Sequence, residues 1–216
     1  MNAKRKRTER EPAPVPIALP KGRLLPTLLR YMESCGFRFD FEDRKLVAQD
    51  GEGVFNAFLV KNSDLPTYVN HGIAALGICG SDVIYESGHR FFTLLTFSFG
   101  RTTMCLAGKR ELGDAADRRR MSVATKFTRF TQDHFHMRGI PVQIIKLDGS
   151  VELAPVLGLA PYIVDLVETG NTLKANDLTV IEKLKEIEVH LIANPSYYKL
   201  HYERIDWIVE RLREKS

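Results

Sequence analysis

The residues best equipped for chemistry lie in the turn Glu168-Thr-Gly-Asn-Thr172, which follows the apolar run Tyr162 to Val167. The run reads as a buried strand, and the turn sets hydroxyls, an amide and a glycine where that strand gives way to a helix. Free backbone N–H groups and hydroxyls at such a place face an anion. Asp165, just before the turn, can accept hydrogen bonds from sugar hydroxyls. Phosphate on 168–172 with ribose beside Asp165 is one ligand this segment describes. A purely structural turn, in which Thr169 or Thr172 caps the helix, uses the same residues. The segment alone leaves both readings open.

Three other turns share the design. Leu19-Pro-Lys-Gly-Arg23 opens the first helix: Gly22 permits close backbone approach, and Lys21 and Arg23 offer cations for phosphates. Gly77-Ile-Cys-Gly-Ser-Asp82 opens another, and Leu147-Asp-Gly-Ser150 a third, with Ser150 able to cap a helix or bind a ligand. Loops at the carboxyl ends of strands in an open α/β sheet converge on one crevice. Taken singly, Lys21 and Arg23 also read as surface charges, and Ser81 and Ser150 as caps. Other chemistries are disfavoured. The chain has no Gly-x-x-x-x-Gly-Lys-Ser/Thr and no Gly-x-Gly-x-x-Gly after its first strand. His134 and His136 sit two apart on a helical pattern, which splays their rings and makes a poor metal pair. No Ser or Cys has a recognisable nucleophile context.

The elements that must hold these turns alternate along the chain. Strands are expected at Val15–Leu19, Phe55–Val60, Ala74–Cys79, Thr102–Ala107, Met121–Thr125, Val142–Leu147, Tyr162–Val167 and Val189–Ala193. Between them fall a helix carrying Leu24, Leu25, Leu28, Leu29 and Met32, short helices capped by Asp64 and begun at Ser81-Asp82, and a helix from Thr128 to Arg138. A helix capped by Ser150 and a last one bearing Leu200, Ile205, Ile208 and Leu212 complete the series. Such alternation predicts an α/β fold with mostly parallel strands. Crossings at 100–109 and 193–195 would make two hinged lobes with the ligand between them. The expected division is a basic, Pro-rich disordered tail over 1–16, lobe I over 17–99 completed by 194–216, and lobe II over 100–193.

Composition narrows the class. The chain has 216 residues, 44% hydrophobic and 27% charged, as in ordinary globular proteins. Its net charge of +4 lies in the first ten residues, beyond which basic and acidic side chains balance, so nucleic acid is an unlikely partner. Cys35, Cys79 and Cys105 are far apart in apolar surroundings and read as buried thiols of a reducing compartment. No apolar run reaches the roughly 20 residues of a membrane span, and no apolar segment follows the basic N-terminus to make a secretory signal. A cytoplasmic location is expected.

With these residues in view, the chain resembles the short-form catalytic subunit of the ATP phosphoribosyltransferase family, the first enzyme of histidine biosynthesis. The resemblance rests on Ala18-Leu-Pro-Lys-Gly-Arg-Leu24, Asp64-Leu-Pro-Thr-Tyr-Val69, His71-Gly-Ile-Ala-Ala-Leu-Gly-Ile-Cys-Gly-Ser-Asp82, Ala124-Thr-Lys126, Ile145-Lys-Leu-Asp-Gly-Ser-Val-Glu-Leu-Ala-Pro155 and the 165–172 segment. It implies a two-lobed fold like periplasmic type II binding proteins, with the ligand cleft between the lobes. The family reaction joins N1 of ATP to C1 of phosphoribosyl pyrophosphate (PRPP) and releases pyrophosphate.

The resemblance also implies roles for residues. Glu168, Thr169, Gly170, Asn171 and Thr172 cradle the 5′-phosphate, Asp165 holds the ribose hydroxyls, and Ser150 contacts PRPP. Arg23 and Arg44 match family arginines near the departing pyrophosphate, and Lys21, Gly22 and Asp82 fall on the ATP side. Mg²⁺ is expected as a cofactor carried by substrate phosphates, with no protein ligands. Adenine N1 already holds a free lone pair, so no strong general base is needed. Three positions depart from the family pattern: Ala75 and Pro161 each replace an acid, and Lys61 stands where Arg is usual. No segment matches the histidine-binding regulatory domain of long forms. The expected assembly is therefore a hetero-oligomer of dimers of this chain with a histidyl-tRNA-synthetase-like regulatory subunit. The alternative is a non-catalytic two-lobed protein of the same fold that only captures or senses an anion or nucleotide.

Overall fold

The structure, a computed structural model, describes residues 13–109 and 121–214. Most of the basic tail, residues 1–12, lies outside them. In chain order the elements are β1 (Val15–Pro20), α1 (Leu25–Ser34), β2 (Val47–Gln49), β3 (Phe55–Val60), α2 (Leu65–Asn70), β4 (Leu76–Gly80), α3 (Ser81–Ser87) and β5 (Phe92–Lys109). They continue with β6 (Met121–Thr125), α4 (Thr128–Met137), β7 (Val142–Lys146), α5 (Leu153–Leu157), β8 (Tyr162–Val167), α6 (Asn171–Ala175), β9 (Leu178–Ala193), α7 (Pro195–Leu200) and α8 (Tyr202–Arg213).

The strands join in the order β2-β3-β1-β4-β9-β5-β8-β6-β7. Around β1 the pairing with β3 and β4 is parallel, and around β6 the pairing with β7 and β8 is parallel. Within these groups β1, β4 and β6 are buried almost throughout and read as near-continuous apolar runs, while the flanking β3 and β7 are only partly covered. The expectation of mostly parallel strands is corrected at the centre. There β9 runs antiparallel to β4, and β5 antiparallel to both β8 and β9.

Two long strands stitch the halves together. The first part of β5, Phe92 to Phe97, pairs with the end of β9, and the rest, Thr102 to Lys109, pairs with its beginning. Between these stretches, residues 98–101 of β5 are opposed in the strand register by the single residue Glu188 of β9, and Arg101 reaches Glu188 at 3.5 Å. Gly100 permits this bulge: its φ is +72°, and a Cβ there would meet Leu24 at 2.8 Å and Val189 at 2.9 Å. The expected strand Thr102–Ala107 is thus the inner part, and Val189–Ala193 the last part, of two much longer strands.

Separate cores lie on either side of the bulge. Leu28 and Met32 of α1 and Ile205, Ile208 and Leu212 of α8 pack with Ile17, Leu19, Phe97 and Leu191. On the other side, Phe130 and Phe135 of α4 pack with Met104, Val123, Val164 and Ile187. The result is the two-lobed fold of periplasmic type II binding proteins. Three local expectations change. Asp64 precedes α2 without capping it, its carboxylate taking the Ser63 hydroxyl instead. Ser150 does not cap a helix with its side chain, since α5 begins at Leu153; its carbonyl accepts the Leu153 N–H. Leu200 belongs to α7 and is exposed, so the apolar face of α8 runs through Val209 instead.

Candidate active site

β8 is buried at its start and opens at its end, delivering Asp165 half-buried to the edge of a cavity of about 130 Å³. The chain then turns through Glu168 to Gly170, whose φ of +73° places it in the left-handed region ahead of α6. No side chain caps α6. Thr169 and Thr172 line the cavity instead, together with Glu168, Gly170 and Asn171. The capped-turn reading is therefore not the arrangement found, and the turn is open to a ligand.

Two cations reach this turn. Arg23, just before α1, crosses the cleft to form an ion pair with Glu168. Lys126, directly after β6, holds Nζ 3.7 Å from Asp165 Oδ1 and lies over the Phe127 ring. Burial nonetheless pushes the Asp165 carboxyl above the ordinary aspartate range, with Lys126 and the Leu166 N–H opposing the shift and Glu152 adding to it.

A second cavity of about 310 Å³ adjoins the first and shares Arg23, Leu166 and Glu168 with it. Lys21 and Asp82 line it, as do Thr27, Asn62 and Thr102. Asp82 is only 6% exposed. Desolvation raises its pKa, against the Val83 N–H and the charge of Lys126. Gly22, in the left-handed region at φ +102°, lies exposed between Lys21 and Arg23.

Not every expected residue arrives at the cavities. Ser150 is exposed, with φ +47°, on the loop after β7; its near neighbour Glu152 lines the smaller cavity. Arg44 sits in the loop before β2 with its side chain 94% exposed, 4.0 Å from Asp43, and lines neither cavity. Conversely, Glu152 lines the smaller cavity, Asn62 the larger, and Lys126 faces Asp165, although no motif marks them as site residues. Asn62 brings a buried side-chain oxygen with no hydrogen-bond partner among the described residues. The signal for Lys126 was present: it ends a buried strand, as Asp82 and the 168–172 turn do.

A two-lobed α/β body with an open glycine- and threonine-bearing turn facing an arginine across the cleft has the layout of a transferase for phosphorylated compounds. Comparison with known proteins specifies which. The family model for ATP phosphoribosyltransferase matches residues 61–214. The ATP phosphoribosyltransferase of Sorangium cellulosum is 42% identical over 203 residues, covering 93% of this chain and 95% of its own, and that of Caldicellulosiruptor bescii is 42% identical over 92% and 97%. A solved structure of the ATP phosphoribosyl transferase (HisG:HisZ) complex from Thermotoga maritima superposes with a TM-score of 0.81 at 34% identity, covering 93% of this chain and 98% of that one. The chain belongs to the ATP phosphoribosyltransferase family. It is a pentosyl-transferring enzyme that carries 5-phosphoribosyl from PRPP to N1 of ATP, releasing pyrophosphate, in the first step of histidine biosynthesis.

Proposed function

We propose that PRPP occupies the smaller cavity and ATP the larger, so that the reacting atoms meet beside Arg23, Leu166 and Glu168, which both cavities share. This shared wall is the observation that carries the reading. The N–H groups and hydroxyls of residues 168–172 bind the 5′-phosphate, and Asp165, steadied by Lys126, takes the ribose hydroxyls. Lys21, Gly22 and Asp82 form the ATP side. The N1 lone pair forms the new bond to C1 as the C1–O bond breaks, its electron pair leaving with pyrophosphate. Arg23 is free to stabilise that charge once substrate replaces Glu168 as its partner. Arg44 and Ser150, which line neither cavity, take part when their loops fold over bound substrate.

Magnesium fits this site as an ion borne by substrate phosphates. The cleft carboxylates are dispersed: Asp165 is beside Lys126, Glu168 is paired with Arg23, and Asp82 is buried. Among the described residues no three His, Cys, Asp or Glu side chains group closely enough to hold an ion themselves. When bound, the ion offsets the negative charge of pyrophosphate and makes it a better leaving group.

We further infer that lobe I spans 17–99 and is completed by 194–216, with lobe II over 100–193. The Thermotoga structure is of a HisG:HisZ complex, which supports the reading that this chain works, as dimers, with a regulatory subunit of the histidyl-tRNA-synthetase type. No helix among the described residues is long and apolar enough to cross a membrane, and the expected compartment is the cytoplasm. The decisive experiment measures kcat, KM for ATP and PRPP affinity in Arg23→Ala. Turnover should fall at least tenfold more than PRPP affinity; equal losses would make Arg23 a ground-state binding group instead.

A further inference from the structure

A cluster of contacts far from the phosphate turn joins α3 to α4. The first turn of α4 has no capping side chain of its own. Its exposed N–H groups are met by Glu86 from the end of α3: Arg129 N–H donates to Glu86 Oε2 at 3.1 Å and Phe130 N–H to Oε1 at 2.7 Å. These are the positions a side-chain cap normally serves, here supplied by another helix, and a carboxylate there also suits the helix dipole. One residue earlier, the Tyr85 hydroxyl donates to Asp133 Oδ2 at 2.7 Å. The Tyr85 ring meets Phe130 edge-on, with Arg129 and Lys185 against it.

The two helices are rooted at the cleft. α3 begins with Ser81 and Asp82, where Asp82 lines the larger cavity. α4 begins two residues after Lys126, which faces Asp165. We propose that Glu86 is a positioning residue: by closing the amino end of α4 it fixes the separation of Asp82 from Lys126, and so of the ATP side from the ribose side. The proposal rests on the two-cavity assignment above. Its consequence is specific, because binding of PRPP depends on β8 and its turn, whereas the approach of N1 to C1 depends on the spacing that α3 and α4 enforce.

The test is steady-state kinetics of the full chain with ATP, PRPP and Mg²⁺. Glu86→Ala is expected to lower kcat about tenfold and raise KM for ATP about threefold, with PRPP affinity within twofold of the parent. Glu86→Gln, which keeps an oxygen acceptor, should recover most of kcat. Tyr85→Phe, which removes only the hydroxyl, should lower kcat about threefold, and it serves if Glu86→Ala does not fold. Unchanged kcat per folded molecule in these variants would overturn the proposal, as would an equal rise of both substrate constants. A parent that turned over without using the two cavities as assigned, shown by Asp82 and Asp165 variants retaining full activity, would instead remove the underlying site reading.

Discussion

Arg23 and Glu168, 145 positions apart, form an ion pair that spans the mouth of the phosphate cavity. Their side chains are 74% and 47% exposed, so water and salt screen the pair. Such contacts are worth about 0.2–1 kcal/mol, small enough for a substrate phosphate to displace. On the assignment proposed above, Glu168 holds Arg23 near its working position until a substrate phosphate replaces it.

The first prediction follows from that exchange. Glu168→Gln removes the competing carboxylate and keeps the backbone of the turn. PRPP should bind up to roughly fivefold tighter at low ionic strength, the factor that about 1 kcal/mol allows, and the advantage should vanish by 0.5 M salt, a concentration taken as roughly enough to screen the pair. Titration calorimetry at both ionic strengths measures it. Weaker binding at every ionic strength would show that the Glu168 carboxylate contacts substrate directly.

Asp82 gives a prediction in pH. Its pKa is raised in the folded protein, chiefly by desolvation. Folding therefore favours its protonated form: the full contribution to stability is present below the ordinary aspartate pKa of about 3.9 and is lost as pH rises through the raised value. Asp82→Asn cannot ionise. In urea denaturation the variant should gain on the parent as pH rises from about 4 towards neutrality. A difference that stayed constant across that range would mean that Asp82 titrates normally.

Gly170 provides a conformational test. Its φ of +73° suits glycine, while the nearest atom to an added Cβ is Val167 Cγ1 at 3.9 Å, so space is not the obstacle. Gly170→Ala should cost about 1 kcal/mol in stability from backbone strain. It should also weaken PRPP binding by tenfold or more, because the turn's N–H groups lose their aim. Thermal melting and PRPP titration together separate the two effects. Loss of stability with unchanged affinity would remove the turn from the phosphate site.

How far the sequence disclosed these features depended on how local they were. β8 and its turn are legible because an apolar run is bounded by Gly170 and Thr172 within a dozen residues. The first half of β9 is not: Leu178 to Glu188 interleaves charged and apolar residues, since it is paired only along one side by β5 and its outer face meets water. The beginning of β5, Phe92 to Phe97, is likewise paired along one side only, by β9, though it mixes apolar residues with threonines and carries no charge. Lys126 beside Asp165 requires knowing that β6 and β8 are neighbours. Glu86 on α4 requires a contact across 43 positions. Periodicity reports faces of elements, and such pairings depend on which faces come together.

Thr125 offers the last prediction, because it supports Lys126 from within the core. The residue is fully buried at the end of β6. Its hydroxyl donates to the Val164 carbonyl at 2.6 Å and accepts the Phe127 N–H at 2.9 Å, tying β6 to β8 and to the approach of α4. Valine has nearly the same shape but no hydroxyl, so Thr125→Val strands a buried acceptor and a buried donor at about 1–3 kcal/mol each. The variant should lose about 2–4 kcal/mol after partial relaxation, and kcat/KM should fall as Lys126 and Asp165 drift apart. Thr125→Ser keeps both hydrogen bonds and loses only a methyl group, about 1 kcal/mol, with activity near that of the parent. Denaturant melts and kinetics of the two variants decide the matter: a Thr125→Ser variant less stable than Thr125→Val would show that the methyl group, and not the hydroxyl, holds this junction.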